Sequence, residues 1–151
     1  VGKVTTLHKT FMHATSFNQN LSAWDVSKVT TLHDTFHYAT SFNQNLAWDV
    51  SKVTTMQDLF FNSGFGGDIS AWNTENVINM YGIFNNAKAF NSDVSKWSVG
   101  KVTGMGSAFR HSSFNKVRKT TLIMTTIKYI ALTLVFHLDP CCPRAFAFNF
   151  S

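Results

Sequence analysis

Cysteine is nearly absent from this chain of 151 residues, which contains two, both in its last eleven positions. Cys141 and Cys142 are adjacent, and the only two prolines, Pro140 and Pro143, flank them. Neighbouring cysteines rarely bridge each other, because disulfide geometry strains so small a ring. We therefore predict no disulfide scaffold, and we interpret the pair as free thiols or, alternatively, as lipidation sites beside a membrane segment.

The sequence also lacks the motifs that indicate a catalytic or cofactor-binding site. It contains no glycine-rich phosphate loop, no nucleophile elbow and no Cys/His cluster. We predict no catalytic residues, no metal-binding residues and no cofactor. The chain begins at Val1 within a repeat, with neither Met nor an apolar leader, which is typical of a fragment and gives no information on the parent protein's destination.

Charged residues are few before residue 102, and their signs nearly balance. Between Val4 and Lys101 there are six basic and seven acidic residues. The net charge of +5 comes from the remaining third, where six basic residues stand against Asp139 alone. A basic pI that arises in one terminal segment is weak evidence for a nucleic-acid-binding surface, so we predict no nucleic-acid partner.

A single pattern, repeated five times, fills most of the chain. The copies begin at Val4, Val29, Val53, Val77 and Val102, which gives steps of 25, 24, 24 and 25 residues. A phenylalanine follows seven residues after each valine, a second comes five or six residues later, and a tryptophan closes the first four copies. A fixed period of this length is typical of solenoids, in which each unit buries its apolar face only by stacking on its neighbours.

The spacing within one copy predicts a helix followed by a strand. In the second copy Val29, Leu32, Phe36 and Ala39 recur at three- and four-residue steps, so we predict a helix over about 31–39 with Asp34 in its first turn. Aromatic segments without helical spacing, such as 42–46 and 21–24, predict short strands. The predicted fold is an α/β repeat, a leucine-rich-repeat-like solenoid with one short helix and one short parallel strand per coil of 24–25 residues.

The aromatic residues are predicted to form the core, where each buried ring contributes about 1.5–3 kcal/mol. The predicted core residues are Phe11, Phe36, Phe60, Phe84, Trp24, Trp48, Trp72 and Trp97. Buried asparagines are predicted to satisfy backbone groups of neighbouring coils at a recurring turn, and these structural-turn residues are Asn18, Asn43 and Asn91. An outward strip of tryptophans that binds carbohydrate or a partner chain is the alternative.

Two polar columns are candidates for chemistry. His8 and His33 occupy the same position in successive copies, so they are predicted to lie about 5 Å apart or slightly more. Asp25 and Asp49 also share a repeat position and are predicted to stack in register. Two such imidazoles could hold a metal ion, and paired carboxylates could transfer protons. Because the third copy has Gln57 at the histidine position and no third ligand is evident, we interpret the columns as an exposed polar ladder and turn caps.

The repeat pattern stops after Asn115. We divide the chain into residues 1–115, a solenoid of four full repeats and a partial fifth, and residues 116–151, a basic and apolar tail. The apolar run 120–138 is long enough for a membrane helix, but Lys128 in its middle costs about 3 kcal/mol on insertion. A cap over the last coil and a disordered or foreign segment are the other two interpretations.

One sequence resemblance is specific. Trp24-Asp-Val-Ser-Lys-Val-Thr-Thr-Leu, followed by Phe36, Ala39 and Phe42-Asn-Gln-Asn-Leu, resembles the repeat of the BspA-like leucine-rich-repeat surface proteins, also known as a Mycoplasma-lipoprotein repeat of unknown function. The third copy departs from the pattern, with Asn73-Thr in place of Asp-Val and Phe65-Gly-Gly in place of Phe-Asn-Gln. The resemblance implies a leucine-rich-repeat-type solenoid at or outside the cell surface that serves adhesion or recognition without catalysis.

The predicted function is therefore a cell-surface or secreted repeat module that recognises a protein or a glycan and is not an enzyme. The alternatives are a metal-dependent enzyme that uses the stacked histidine and aspartate columns, and a purely structural spacer. Besides a protein or glycan ligand, association with a membrane through 120–138 stays open.

Overall fold

The computed structural model describes residues 2–114. In this part of the chain the five copies lie one above another as stacked coils, and each coil forms one isolated parallel bridge with the next among the hydrogen bonds that join them. The bridges are Thr6 to Thr31, Thr31 to Thr55, Thr55 to Asn79 and Asn79 to Gly104. Residues 2–114 contain no helix, and these single bridges are their only β-structure. The predicted α/β solenoid with a helix and a strand in every coil is therefore wrong.

The segment predicted as a helix, 31–39, is a chain of turns because only alternate N–H groups bond within it. The N–H groups of Thr35, His37 and Ala39 donate to carbonyls three residues back, at 3.0–3.2 Å. The N–H groups between them donate to the next coil at 2.9–3.0 Å: Leu32 to Thr55, Asp34 to Gln57, Phe36 to Leu59 and Tyr38 to Phe61. An α-helix needs the bond from each N–H to the carbonyl four residues back, so these bonds between coils exclude it.

In each coil two residues four positions apart adopt the left-handed backbone conformation. In the second coil Asp34 has φ 56° and Tyr38 has φ 57°. A positive φ is uncommon outside glycine and occurs several-fold more often in Asn, Asp and His than in other residues. Six of the nine non-glycine residues with a positive φ here are of these three types. The full set is Lys9, His13, Asp34, Tyr38, Asp58, Asn62, Asn86, Ser107 and His111, with Gly82 as the glycine. Turns with this interval place apolar residues at nearly the helical spacing.

The segments predicted as strands, 42–46 and 21–24, are wrong for a related reason. Residues 21–24 form a turn closed by the bond from the Trp24 N–H to the Leu21 carbonyl at 3.0 Å. Around 42–46, asparagine side chains accept backbone N–H groups of the next coil, beside the backbone bond from Leu46 to Asp68 at 3.4 Å. The Asn18 side chain accepts the N–H of Asn43 at 2.9 Å, and the Asn43 side chain accepts the N–H of Gly66 at 2.8 Å. A strand ladder requires repeated backbone-to-backbone bonds, and here asparagine side chains take that place. Asn18 and Asn43 are exposed, whereas the predicted turn had them buried.

Two columns of phenylalanine rings run through the centre of the stack. Along the first column the ring centroids of Phe36 and Phe60 lie 5.6 Å apart, and those of Phe60 and Phe84 lie 5.7 Å apart. Within one coil the rings of the two columns also stack, with Phe60 and Phe65 at 3.9 Å. These three rings of the first column are fully buried, whereas Phe11 in the first coil is half-buried.

Each tryptophan after the first donates a hydrogen bond from its indole N–H to a backbone carbonyl of the preceding coil. The indole N–H of Trp48 donates to the Leu21 carbonyl at 3.0 Å, and that of Trp72 donates to the Leu46 carbonyl at 2.8 Å. Trp97 repeats the contact with Ile69 at 3.3 Å. These three indoles are buried, and Trp24 is half-buried against the core.

Residues 2–114 include no helix long and apolar enough to cross a membrane. The tail predicted over 116–151, with its apolar run 120–138 and Cys141 and Cys142, lies outside the described residues.

Candidate functional site

A polar groove with a volume of about 450 Å³ spans coils two to four. Pockets for small molecules have volumes of about 300–1,000 Å³, so the groove has the size of a ligand site. The residues that line it are Asn45, Gly66, Asp68, Ser70, Ser92, Asp93 and Lys96.

Hydrogen bonds within each coil hold the acidic side chains of the polar groove. The Asp68 carboxylate accepts the N–H of Ser70 at 2.9 Å. The Asp93 carboxylate accepts the N–H of Ser95 at the same distance. In both coils the bond to the serine N–H holds the carboxylate in a fixed orientation within its own turn.

Close packing of the third coil against the fourth makes one wall of the polar groove bare backbone. A Cβ atom on Gly66 would lie 2.7 Å from the Ala89 carbonyl oxygen, a distance that forces one of the two to move. The other copies have asparagine at this position. The glycine therefore allows the third coil to lie closer to Ala89 of the fourth coil than a residue with a side chain would, and the departure Phe65-Gly-Gly is its sequence signal.

On the histidine face, defined by His8, His33, Asp34 and His37, side chains of the first two coils converge. The ring centroids of His8 and His33 are 4.8 Å apart. A threonine two residues earlier fixes each backbone, because the Thr6 and Thr31 hydroxyls accept the N–H groups of His8 and His33 at 3.1 and 3.2 Å. The structure thus brings this sequence-predicted pair together.

Asp34 joins the pair, which the sequence analysis missed. Its Oδ2 lies 3.3 Å from His33 Nε2, and its Oδ1 lies 3.6 Å from His37 Nδ1. In the structure the left-handed turn at Asp34, with φ 56°, places its carboxylate between the two imidazoles. Asparagine, aspartate and histidine at four-residue intervals are the sequence signal for that turn.

The pKa values of two groups near this face respond to burial. Burial lowers the pKa of His37, while the charges of Asp34 and Asp58 act in the opposite direction. Burial raises the pKa of Asp58, partly offset by the hydrogen bond from Gln57. His37 therefore favours its neutral form, in which one ring nitrogen is an acceptor.

The aspartate column, Asp25 and Asp49, has a local role in the structure. Each carboxylate accepts the backbone N–H of the serine two residues later, at 3.1 Å for Ser27 and 3.0 Å for Ser51. The Ser27 hydroxyl also donates to Asp25 at 2.6 Å. Bonds from the serine side chain and backbone lower the pKa of both aspartates, which keeps them ionised as turn caps.

We expect Ser27→Ala to raise the pKa of Asp25 toward its ordinary value of 3.8, because the hydroxyl is the largest cause of the lowering. A lowered pKa in the folded state stabilises the fold above the ordinary value, and this contribution is lost as the pH falls through the lowered one. Carboxyl-carbon NMR titration of the full chain measures the shift, with Asp49 as the internal control. An unchanged Asp25 titration in the variant would contradict the assignment.

Comparison with protein-family models gives one match, described as a Mycoplasma protein of unknown function, DUF285, over residues 1–64 and 46–122. Together the two matched segments cover more than half of the chain. Comparison with curated proteins and with solved structures gives no match.

Proposed function

The chain belongs to the DUF285 family of Mycoplasma proteins of unknown function, and from that premise we propose that it is a non-catalytic recognition module whose polar groove binds a glycan at the cell surface. The polar groove is the observation that supports this proposal. Its lining combines carboxylate acceptors, amide donors and acceptors, hydroxyls and the Lys96 ammonium. Sugar hydroxyls both donate and accept hydrogen bonds, and this mixture matches them.

The distribution of large apolar side chains favours a glycan over a protein ligand. Protein interfaces depend on a few Trp, Tyr or Arg anchors in desolvated pockets. Three of the four tryptophans are buried in the stack, and the large hydrophobic residues exposed in the described part of the chain are Ile78 and Tyr81. Neither of these two lines the polar groove.

The surface location rests on sequence resemblance. The Trp-Asp-Val-Ser and Phe-Asn-Gln-Asn elements resemble the BspA-like surface-protein repeat, which supports a role outside the cell. Binding in the polar groove is supported physically by its acidic side chains, because carboxylates held by bonds within their own turns bind a ligand with little loss of conformational freedom.

The test is binding of the full chain to a glycan array, followed by calorimetry with the best oligosaccharide. We expect Asp68→Asn and Asp93→Asn to weaken the affinity about tenfold or more each, because a hydrogen bond to a charged group contributes about 1.5–3 kcal/mol. Asparagine retains an acceptor for the serine N–H, so both variants are expected to fold. Glu75→Gln, which changes an exposed acid outside the groove, is the matched control and is expected to bind normally.

Two results would contradict this function. The first is the absence of any glycan ligand, which would favour the spacer interpretation. The second is a ligand whose affinity falls equally in Glu75→Gln and in the groove variants, since the loss would then follow overall charge and not the groove.

A further inference from the structure

We propose that His8, His33 and Asp34 bind one Zn²⁺-class divalent metal ion, and that His37 positions the aspartate. One ligand atom from each of the three residues can be chosen so that all lie within 4.8 Å of one another. Two imidazole nitrogens and one carboxylate oxygen are a ligand set that suits Zn²⁺ and leaves a fourth position for water or another ligand.

The distances fit a tetrahedral ion after a small movement. Zn²⁺ bonds of about 2.0 Å place neighbouring tetrahedral ligand atoms about 3.3 Å apart. His33 Nε2 and Asp34 Oδ2 already lie 3.3 Å apart. His8 is exposed, so its ring can rotate toward the other two ligands without disturbing the core.

The environment of Asp34 supports a cation at this point. The residue is 7% exposed, and a buried carboxylate is normally paired with a cation or coordinated to a metal. Its ordinary cationic neighbour is Lys9, whose Nζ lies 4.0 Å from Oδ2 and whose side chain is 51% exposed. Lys9 can therefore move into solvent when a divalent ion occupies its place.

The buried nitrogen of His37 supplies an independent observation. His37 Nδ1 is buried without a hydrogen-bond partner among residues 2–114, 3.6 Å from Asp34 Oδ1. Metal-binding carboxylates are usually hydrogen-bonded by an outer group that fixes their orientation. A small shift of Asp34 toward the ion would bring its Oδ1 within hydrogen-bond distance of His37 Nδ1. His37 would then donate to the carboxylate and hold it in position for the metal.

The site is confined to the first two coils. The third coil has Gln57 at the histidine position, where its side chain donates to Asp58 at 3.3 Å. The fourth coil has Tyr81 there, with its side chain exposed. One ion per chain is the predicted stoichiometry.

The experiment is Zn²⁺ calorimetry and thermal unfolding on the full chain, with Cys141 and Cys142 alkylated in every sample so that thiolates do not compete. We expect one Zn²⁺ per chain and a Zn²⁺-dependent rise in the melting temperature. Removing a group that only hydrogen-bonds a metal ligand typically weakens metal affinity by roughly 10–100-fold. The double variant His8→Gln with His33→Gln removes two ligands and is expected to weaken Zn²⁺ binding by more than that. His111→Gln, an exposed histidine of the fifth coil, is the matched control.

The positioning role of His37 has a separate readout. His37→Phe keeps a ring and is expected to reduce Zn²⁺ affinity about 10–100-fold, whereas His37→Asn retains a donor near the Nδ1 position and is expected to restore most of it. Co²⁺ absorption reports the coordination, since a tetrahedral site gives intense visible bands that six-coordinate Co²⁺ lacks.

Three outcomes would overturn the proposal. They are no binding at millimolar Zn²⁺, affinity that is equal in the double variant and in His111→Gln, and Co²⁺ spectra of a six-coordinate ion. The single variant His8→Gln changes an exposed side chain and leaves the core intact, so it tests the proposal even if the double variant fails to fold.

Discussion

Phe60→Ala is expected to lower the free energy of unfolding by about 3–5 kcal/mol, the range for removal of a fully buried phenylalanine. The ring is fully buried in the middle coil. It stacks on Phe36 at 5.6 Å, Phe84 at 5.7 Å and Phe65 at 3.9 Å. Because the total stability of a domain is about 5–15 kcal/mol, this loss is a large part of it. Urea unfolding followed by tryptophan fluorescence measures the change.

Phe11→Ala is the matched control for the middle ring. Phe11 occupies the same position in the first coil, but it is half-buried and has a first-column neighbour on one side, Phe36 at 5.2 Å. In stacked repeats, stability is close to a sum of unit terms and nearest-neighbour interfaces, so this variant is expected to lose about half as much or less. Equal losses at Phe11 and Phe60 would mean that stacking between coils does not determine stability.

Trp72→Phe is expected to cost about 2–4 kcal/mol, because it combines two effects. The indole N–H donates to the Leu46 carbonyl at 2.8 Å in a buried position, and leaving that oxygen without its donor costs about 1–3 kcal/mol. The smaller ring also leaves unfilled volume between Phe60 and Trp97, which adds a cavity cost. Thermal unfolding followed by near-ultraviolet circular dichroism measures the loss.

Trp24→Phe separates the hydrogen bond from the ring. Trp24 begins the tryptophan column, and no earlier coil in the part of the chain that the structure describes offers its indole a carbonyl. It is also half-buried, so we expect a loss of less than half that of Trp72→Phe. A larger loss at Trp24 than at Trp72 would show that the bond between coils contributes little.

The helix prediction for 31–39 failed for a physical reason that concerns hydrogen bonds and not apolar spacing. Leu32, Phe36 and Ala39 are all fully buried, as an apolar helical face would be. Two geometries give that spacing: a helix with 3.6 residues per turn, and turns that reverse at Asp34 and Tyr38. Local propensity does not separate them, because the choice depends on whether alternate N–H groups find carbonyls in the next coil.

Only part of the candidate sites could be predicted from the sequence. His8 and His33 share a repeat position, so their proximity follows from the period alone. Asp34 was assigned to a helix turn, and its place between His33 and His37 depends on the left-handed backbone. The polar groove was not predicted, although the glycines after Phe65 indicated that the third copy differs from the others.

The sequence by itself determined the period of the protein. Because identical residues recur every 24–25 positions, they lie above one another when successive coils stack. The phenylalanine columns are the example. The tertiary structure alone decided the backbone conformation within a coil. Every second N–H between positions 32 and 38 bonds to the next coil, and such a partner exists only after the neighbouring coil is in place. The balance between helix and turns is therefore set by bonds that a single repeat cannot make.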